Sequence, residues 1–260
     1  MRREERHHLK DNALAAWVAQ VRNTLRRRRR ALVVAGWIVA AALVVTGGGY
    51  GWQQWRAARA SELLAAAMTV VDAAVVPPPE APLPAEGEEG EEAPPEPPEP
   101  FVQPPGSYPS AAVKLEEAVP HLLAAADAYP TLPQGIAARY QAASALNSLG
   151  RTEEARAQYQ QVVELAGAQV YGQMARLGLA ETHLMDGAYA DAIAVLEAAS
   201  SAVDSDLPRD AVLMRLGRAH RLAGQPSEAR VAFARVVDDF PVSPYGPEAR
   251  REIEELGAAR

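Results

Sequence analysis

The chain of 260 residues contains no cysteine, and this absence excludes disulfide bonds, thiol nucleophiles and cysteine metal sites. It also has no phosphate-binding loop, no glycine-rich dinucleotide turn, no nucleophile elbow and no paired metal-ligand motif. His183 and His220 are separated by 37 residues, a spacing that favours packing histidines at a helix–helix seam over a metal site. We therefore expect a protein that is not an enzyme, with no catalytic residue, no cofactor and no bound metal.

Charge is missing from one long stretch. Residues 31–52 form a run of 22 uncharged residues, directly after five arginines at positions 26–30. As a helix this run would be about 33 Å long, against a hydrocarbon core of about 30 Å. A cleaved signal peptide is the main alternative, but its basic region and apolar block are usually shorter than those seen here. The sequence therefore predicts one transmembrane helix at residues 31–52.

The two sides of this stretch differ in charge. Residues 1–30 carry a net charge of +7, and the remaining 230 residues carry −14. Basic segments remain on the cytoplasmic side of a membrane, so residues 1–30 are predicted to be a cytoplasmic tail, with the chain after residue 52 on the other side. Two interpretations of this tail are compatible with the sequence: it contains a short amphipathic helix, or it is disordered.

The next segments differ sharply in composition. Residues 53–76 keep a helical apolar period, which predicts that the membrane helix continues into solvent. Residues 77–109 contain 13 prolines and 8 glutamates among 33 positions, too little apolar surface for a core. This Pro/Glu-rich insertion is predicted to be disordered.

From residue 110 to the end the chain repeats with a step of 37 residues. A glycine recurs at the end of one predicted helix, an alanine five residues later, and a large apolar residue four residues after that. The members of these three sets are Gly150, Gly187 and Gly224; Ala155, Ala192 and Ala229; and Tyr159, Leu196 and Phe233.

The same spacing extends in both directions. Ala118, Leu122 and Ala125 fit the second helix of an earlier unit, which Pro120 should kink or split. The first helix of that unit is then predicted to be residues 53–76, since the Pro/Glu-rich insertion cannot form it. A terminal capping helix is predicted with Ser243 as its N-cap.

These residues resemble the tetratricopeptide repeat (TPR) family. The last unit carries that motif's residues at Leu216, Gly217, Gly224, Ala229, Phe233, Val236 and Pro241. The resemblance implies an all-α fold in which helix pairs stack into a TPR-like solenoid, here after a single transmembrane helix. Its step of 37 instead of 34 residues indicates longer loops between the repeats.

Stacked helix pairs leave a concave face that binds other proteins. By resemblance to the repeat, its binding positions are Tyr140, Asn147, Met174, Leu177, Glu181, Leu184, Met185, Met214, Arg218 and Arg221. The apolar members are expected to form an exposed strip, because flexible methionines suit varied apolar partners.

The whole arrangement of basic tail, single span and short repeat domain resembles the ancillary SecYEG translocon subunit family. The resemblance implies a bacterial inner-membrane protein with its repeat domain in the periplasm, where it would bind client polypeptides, the translocon or chaperones. A component of an envelope machine, in outer-membrane assembly or cell division, is an alternative, and so is a signalling protein that acts through the cytoplasmic tail. Neither a nucleic acid nor a small-molecule substrate is expected as a partner.

Overall fold

The computed structural model describes residue 20 and residues 29–79, 101–202 and 205–258. The predicted cytoplasmic tail, residues 1–30, lies almost wholly outside the described residues, as do positions 80–100 of the insertion. The chain divides into two compact units, Met1–Ala58 and Arg59–Arg260.

The described residues form nine helices and one pair of short strands, so the fold is all-α, as predicted. The elements, in chain order, are α1 (Arg29–Val71), β1 (Ala74–Val75), β2 (Ser107–Tyr108), α2 (Ala111–Ala128), α3 (Pro133–Ser148), α4 (Thr152–Ala166), α5 (Val170–Met185), α6 (Tyr189–Ser201), α7 (Arg209–Leu222), α8 (Pro226–Asp239) and α9 (Gly246–Ala258).

Successive helices in the second unit pack against their neighbours, from α2 and α3 through to α8 and α9. The pairs α3–α4, α5–α6 and α7–α8 are antiparallel hairpins closed by Gly150, Gly187 and Gly224. These three glycines have φ values of +73°, +74° and +72°, a left-handed conformation that other residues adopt only with strain. The TPR-like solenoid predicted from the repeat is therefore confirmed.

The seams of these hairpins are built from small residues facing large ones. Ala155, Ala192 and Ala229 are fully buried, and the predicted large partners of each unit expose at most 3% of their surface. Close approach is required here: a Cβ atom added at Gly217 would overlap the ring of Phe233. The spacing of 37 residues thus places alanine or glycine where two helices come nearest.

An earlier repeat unit is formed by the second half of α1 and by α2. Ala67 packs in one cluster with Ala118 and Leu122, and Ala60 is also buried. A hydrogen bond from Gln134 to Ser61 joins α3 to the same helix (3.2 Å). Within Arg59–Arg260, the segment after residue 58 therefore occupies the place of a first repeat helix.

The end of α1 differs from the prediction. The apolar period predicts helix to residue 76, but α1 ends at Val71 and the chain continues as β1, which pairs in parallel with β2. Two causes act here: Pro77 disfavours helical backbone in the residue before it, and the Val76 amide instead donates to the Tyr108 carbonyl (2.8 Å). Both ends of the predicted disordered insertion, residues 77–79 and 101–109, are thus part of the ordered chain.

Two further boundaries are corrected. Helix α2 is continuous from Ala111 to Ala128 and is not split at Pro120, whose exposed side lets solvent satisfy the freed carbonyl. The terminal helix begins at Gly246, so Ser243 is not its N-cap. Ser243 instead accepts from the Tyr245 amide (3.1 Å) and donates to Asp210 at the start of α7 (2.6 Å).

In the described part of the chain, no helix has both the length and the apolar character needed to cross a membrane. The transmembrane helix predicted at residues 31–52 is not supported by this finding and stays a prediction.

Candidate protein-binding groove

An open groove of about 960 Å³ runs across the first helices of three repeats, α3, α5 and α7. Side chains of a helix that lie three or four residues apart share a face, so each of these helices presents a short row to the groove. The rows come from Tyr140 and Asn147 on α3, from Met174 to Met185 on α5, and from Ala211 to Leu222 on α7.

Nine of the ten residues singled out in the sequence line this one groove. They are Tyr140, Asn147, Met174, Leu177, Glu181, Leu184, Met185, Met214 and Arg218. Their role in binding stays a prediction, but the structure brings them together.

Arg221 does not line the groove. Its guanidinium pairs with Glu252 of α9 at 3.2 Å, and the Glu252 side chain is 8% exposed. The terminal helix therefore uses Arg221 as a packing contact, and Leu222, which is 51% exposed, faces the groove instead. Arg218 is also paired, with Glu248 at 2.5 Å, but remains on the groove wall.

The predicted apolar strip is only partly exposed. Met185 exposes 51% of its surface, whereas Met174, Leu177 and Leu184 are half-buried. Met214 exposes 2% and belongs to the core around Phe233, so its assignment as an exposed residue was wrong. This core cluster also contains Ala249 of α9, whereas the equivalent position of the preceding repeat, Leu177, is only half-buried.

Three tyrosines cluster at the α3 end. The ring centroid of Tyr140 lies 5.8 Å from that of Tyr159 and 5.7 Å from that of Tyr171, and the ring planes are tilted by 58° and 55°. Tilted rings at these distances attract each other through their quadrupoles. Tyr140 and Tyr159 line the groove, which therefore has an aromatic wall at this end.

Burial has an electrostatic consequence for these phenols. Burial raises the pKa of Tyr159 to about 12, with a further contribution from Tyr140, against an ordinary value of 10.0. It raises the pKa of Tyr140 as well. Both hydroxyls are thus neutral groups at physiological pH and can act as hydrogen-bond partners at the groove wall.

Asn147 supplies a polar group that lacks a partner among the described residues. Its side-chain oxygen is buried and accepts no hydrogen bond from them. A buried acceptor left without a donor costs about 1–3 kcal/mol. A backbone N–H of a bound polypeptide would remove that cost, as would any other donor placed in the groove.

Sequence reasoning missed several lining residues. Tyr159 was assigned to the core seam alone, yet it also reaches the groove because Gly178 opposite it has no Cβ. The loop before α7 contributes Asp206, Leu207 and Pro208. The 37-residue step could not have indicated it, because the same step between Gly150 and Gly187 contains a loop of only three residues, 167–169.

Among the described residues, no group of three or more histidine or acidic side chains is placed to hold a metal ion. His220 donates through Nδ1 to the Gln225 Oε1 (2.7 Å) and exposes only 7% of its surface. It is a packing residue at the α7–α8 turn.

Comparison with known proteins places this geometry in a family. The family described as a tetratricopeptide repeat-like domain matches residues 110–250. No curated protein matches the chain. Among solved structures, the chain is similar to nearly identical TPR-like repeats of a kinesin light chain from Podosopora anserina. The two sequences are 22% identical and the TM-score is 0.48. The similarity covers 56% of this chain and 79% of the other. It is also similar to MamA from Desulfovibrio magneticus RS-1, residues 41 to the end, with 22% identity, a TM-score of 0.42, and coverage of 56% and 88%.

A scaffold of this kind is suited to protein–protein interaction, since stacked hairpins present a long concave surface. Because the family match covers more than half of its residues, the chain belongs to the tetratricopeptide repeat-like domain family.

Proposed function

We propose that this protein is a non-enzymatic scaffold whose groove across α3, α5 and α7 binds apolar segments of other proteins. The observation that carries the proposal is the groove itself, which is open along its length and combines exposed apolar side chains with an aromatic wall and the unpartnered oxygen of Asn147. An enclosed cavity would suit a small ligand, whereas an open apolar groove suits an extended or helical peptide.

The charges of the groove fit a segment that is mainly apolar. Glu181 and Asp206 oppose Arg215 and Arg218 on its lining, and the Arg218 charge is already compensated by Glu248. A groove with nearly balanced charge selects its partner by apolar contact and shape. Adaptable surfaces of this type bind with dissociation constants of about micromolar or weaker.

A titration of the full chain with a fluorescent apolar peptide, followed by anisotropy, tests the groove. In the groove variant, Met185→Glu and Leu222→Glu place two carboxylates on lining residues that are half exposed, so the fold is expected to persist. In the matched control, Val231→Glu and Val242→Glu place two carboxylates at exposed apolar positions outside the groove.

The groove variant should bind at least about tenfold more weakly than the parent, a loss of about 1.4 kcal/mol. The control should bind like the parent, and both variants should keep the parent's circular dichroism spectrum. Equal affinity of the groove variant and the control would contradict the proposal.

The proposal extends to the location of the protein. We place the chain in a bacterial inner membrane, attached through residues 31–52, with the repeat domain in the periplasm near the Sec translocon. The distribution of charge supports this placement, and so do exposed apolar side chains such as Trp37 (73%), Ile38 (63%) and Leu43 (67%), which lipid would cover.

Protease digestion of spheroplasts tests the topology. Protease should cut within residues 77–109 and spare residues 1–30, and recovery of the chain in the soluble fraction would contradict attachment.

Crosslinking in membranes, followed by mass spectrometry, tests the partner class. Translocon subunits or secreted chains should be captured by the parent and lost in the groove variant, whereas loss of partners on deletion of residues 1–25 would favour signalling through the tail.

A further inference from the structure

The row of side chains that α3 presents to the groove is polar. Tyr140, Ser144 and Asn147 lie four and three residues apart, so they share one face of α3, and all three line the groove. We call them the polar row. One repeat later, Leu177 and Leu184 of α5 hold the positions that correspond to Tyr140 and Asn147. The groove therefore places neutral hydrogen-bonding groups beside apolar ones.

Two members of the polar row have no hydrogen-bond partner among the described residues. Neither the Tyr140 hydroxyl nor the Asn147 side-chain amide bonds to any of them, whereas Ser144 pairs with Tyr159. The Asn147 oxygen lies below the groove surface, and rotation about the Cβ–Cγ bond would bring either its oxygen or its nitrogen to a bound chain. Because all three side chains are half-buried, a segment that covers them has to supply partners for them.

The conformation of the bound segment decides whether it can supply these partners. In an α-helix, the backbone N–H groups donate to carbonyls of the same helix, so a helical segment brings mainly its side chains to the row. In an extended segment, the N–H and C=O groups of alternate residues point to the same edge, and no internal bond uses them. Only the extended form offers a regular series of backbone donors and acceptors.

The spacing of the polar row also suits an extended chain. Along α3 its members are four and three residues apart, which corresponds to about 6 Å and about 4.5 Å along the helix axis. Groups on one edge of an extended chain recur every second residue, or about every 6.6 Å. Rotation of the tyrosine and asparagine side chains accommodates a difference of this size. One backbone edge of an extended segment can thus follow the row.

We propose that the segment bound in the groove is extended and lies lengthwise on α3, with one backbone edge on the polar row. Alternate side chains of the segment then contact the apolar residues of α5, such as Leu177 and Leu184. This form of the segment rests on the function proposed for the groove, and it excludes a preformed amphipathic helix as the partner. Backbone groups are common to all polypeptides, so such a groove accepts varied apolar sequences.

Backbone N-methylation of a fluorescent peptide of leucine, valine and serine tests the edge contact. Each methyl group removes one N–H donor and leaves the side chain unchanged. Two peptides are methylated at alternate residues, one on each backbone edge, and a third is methylated at every residue.

In anisotropy titrations of the full chain, at least one of the two half-methylated peptides should bind within about threefold of the unmethylated one, because one edge remains intact. The fully methylated peptide should bind at least about tenfold more weakly. A helical segment would lose its internal bonds in both half-methylated peptides, so a tenfold loss in both would overturn the extended form.

A variant of the polar row locates the edge on α3. Tyr140→Phe with Asn147→Leu removes the hydroxyl and the amide, and the leucine repeats the residue at the equivalent position of α5. This variant should bind the unmethylated peptide at least about tenfold more weakly than the parent. A groove for an amphipathic helix would instead bind as well or better, because the row has become apolar. The matched control, Tyr189→Phe with Gln160→Leu, makes the same types of change outside the groove and should bind like the parent.

The outcomes distinguish the form of the segment from the function of the groove. Weaker binding to the variant with Met185→Glu and Leu222→Glu supports the groove, whatever form the segment has. If that variant loses affinity while the row variant keeps it, the groove stands and the extended form is overturned. Tighter binding of a helix-locked peptide than of the unmethylated one would have the same consequence. If the full chain binds none of the peptides, the extended form and the groove function are both overturned.

Discussion

Overpacking the seam of the middle repeat is the most direct test of the 37-residue spacing. Ala192 exposes none of its surface, and neither does Ala155 or Ala229 at the equivalent positions. Its helix, α6, packs against α5 on one side and α7 on the other. In Ala192→Leu, three further carbon atoms would have to fit where the helices come nearest.

The expected cost follows from the lack of space. Extra methylene groups in a well-packed core cost about 1–3 kcal/mol, because side chains leave their rotamers and the backbone shifts. For a domain of about 150 residues or more, each kcal/mol lowers the melting temperature by about 2–4 °C. Ala192→Leu should therefore lower it by about 2–12 °C.

Ala190→Leu is the matched control, since Ala190 lies two residues earlier in α6 and is exposed. A substitution at such a position changes the free energy of unfolding by about 0.5 kcal/mol or less. Both variants make the same chemical change in the same helix, so the difference between them reports the seam alone. The measurement is thermal unfolding of the full chain, followed by circular dichroism at the helical band.

Hydrogen exchange would show how far the damage extends. In repeat proteins the stability is nearly a sum of terms between neighbours, so damage in a middle unit weakens the units on both sides. Protection should fall in α5 through α8 and remain higher in α2. An unchanged melting temperature for Ala192→Leu, or an equal change in Ala190→Leu, would refute the assignment of this position to a helix seam.

Three further outcomes follow from single residues. Gly224→Ala should lower the free energy of unfolding, measured by urea titration, by about 1–2 kcal/mol, because φ is +72° at this position. Gly257→Ala, in the open part of α9, is the control and should be neutral or stabilising in the same titration. The pKa of Tyr159 is raised from 10.0 to about 12. The contribution of neutral Tyr159 to stability should therefore be complete below pH 10 and lost as the pH rises towards about 12. Tyrosinate absorbance and the free energy of unfolding, each measured across this pH range, test the expectation. Arg139, which is 6% exposed, pairs with Asp127 at 2.5 Å. Asp127→Ala should therefore lower the free energy of unfolding, measured in urea, by about 1–3 kcal/mol. An unchanged free energy of unfolding would show that the pair is solvated.

The positions of the repeat helices could be predicted from the sequence because their signals are local. A glycine that must adopt positive φ and an alanine at a close seam are each required by backbone geometry within one hairpin. Repetition then reinforces the pattern, since each unit shows the same residues at the same spacing. This is why Gly150, Gly187 and Gly224 were correctly placed without any knowledge of tertiary contacts.

The errors arose where distant segments meet. The end of α1 at Val71 depends on pairing with Tyr108, which lies beyond the Pro/Glu-rich insertion. Met214 belongs to a core cluster that includes Phe233 of α8 and Ala249 of α9, and Arg221 pairs with Glu252 of α9. Equivalent positions in a repeat have equivalent surroundings only when both neighbours are also repeats.

The groove differs along its length because equivalent positions hold different residues. At the α3 end Gly178 leaves room for the Tyr159 ring, whereas 37 residues later the corresponding positions are Arg215 and Leu196. One end of the groove is therefore aromatic and the other carries the guanidinium groups of Arg215 and Arg218. The sequence differences between repeats, and not the repeat itself, thus make the two ends of the groove chemically different.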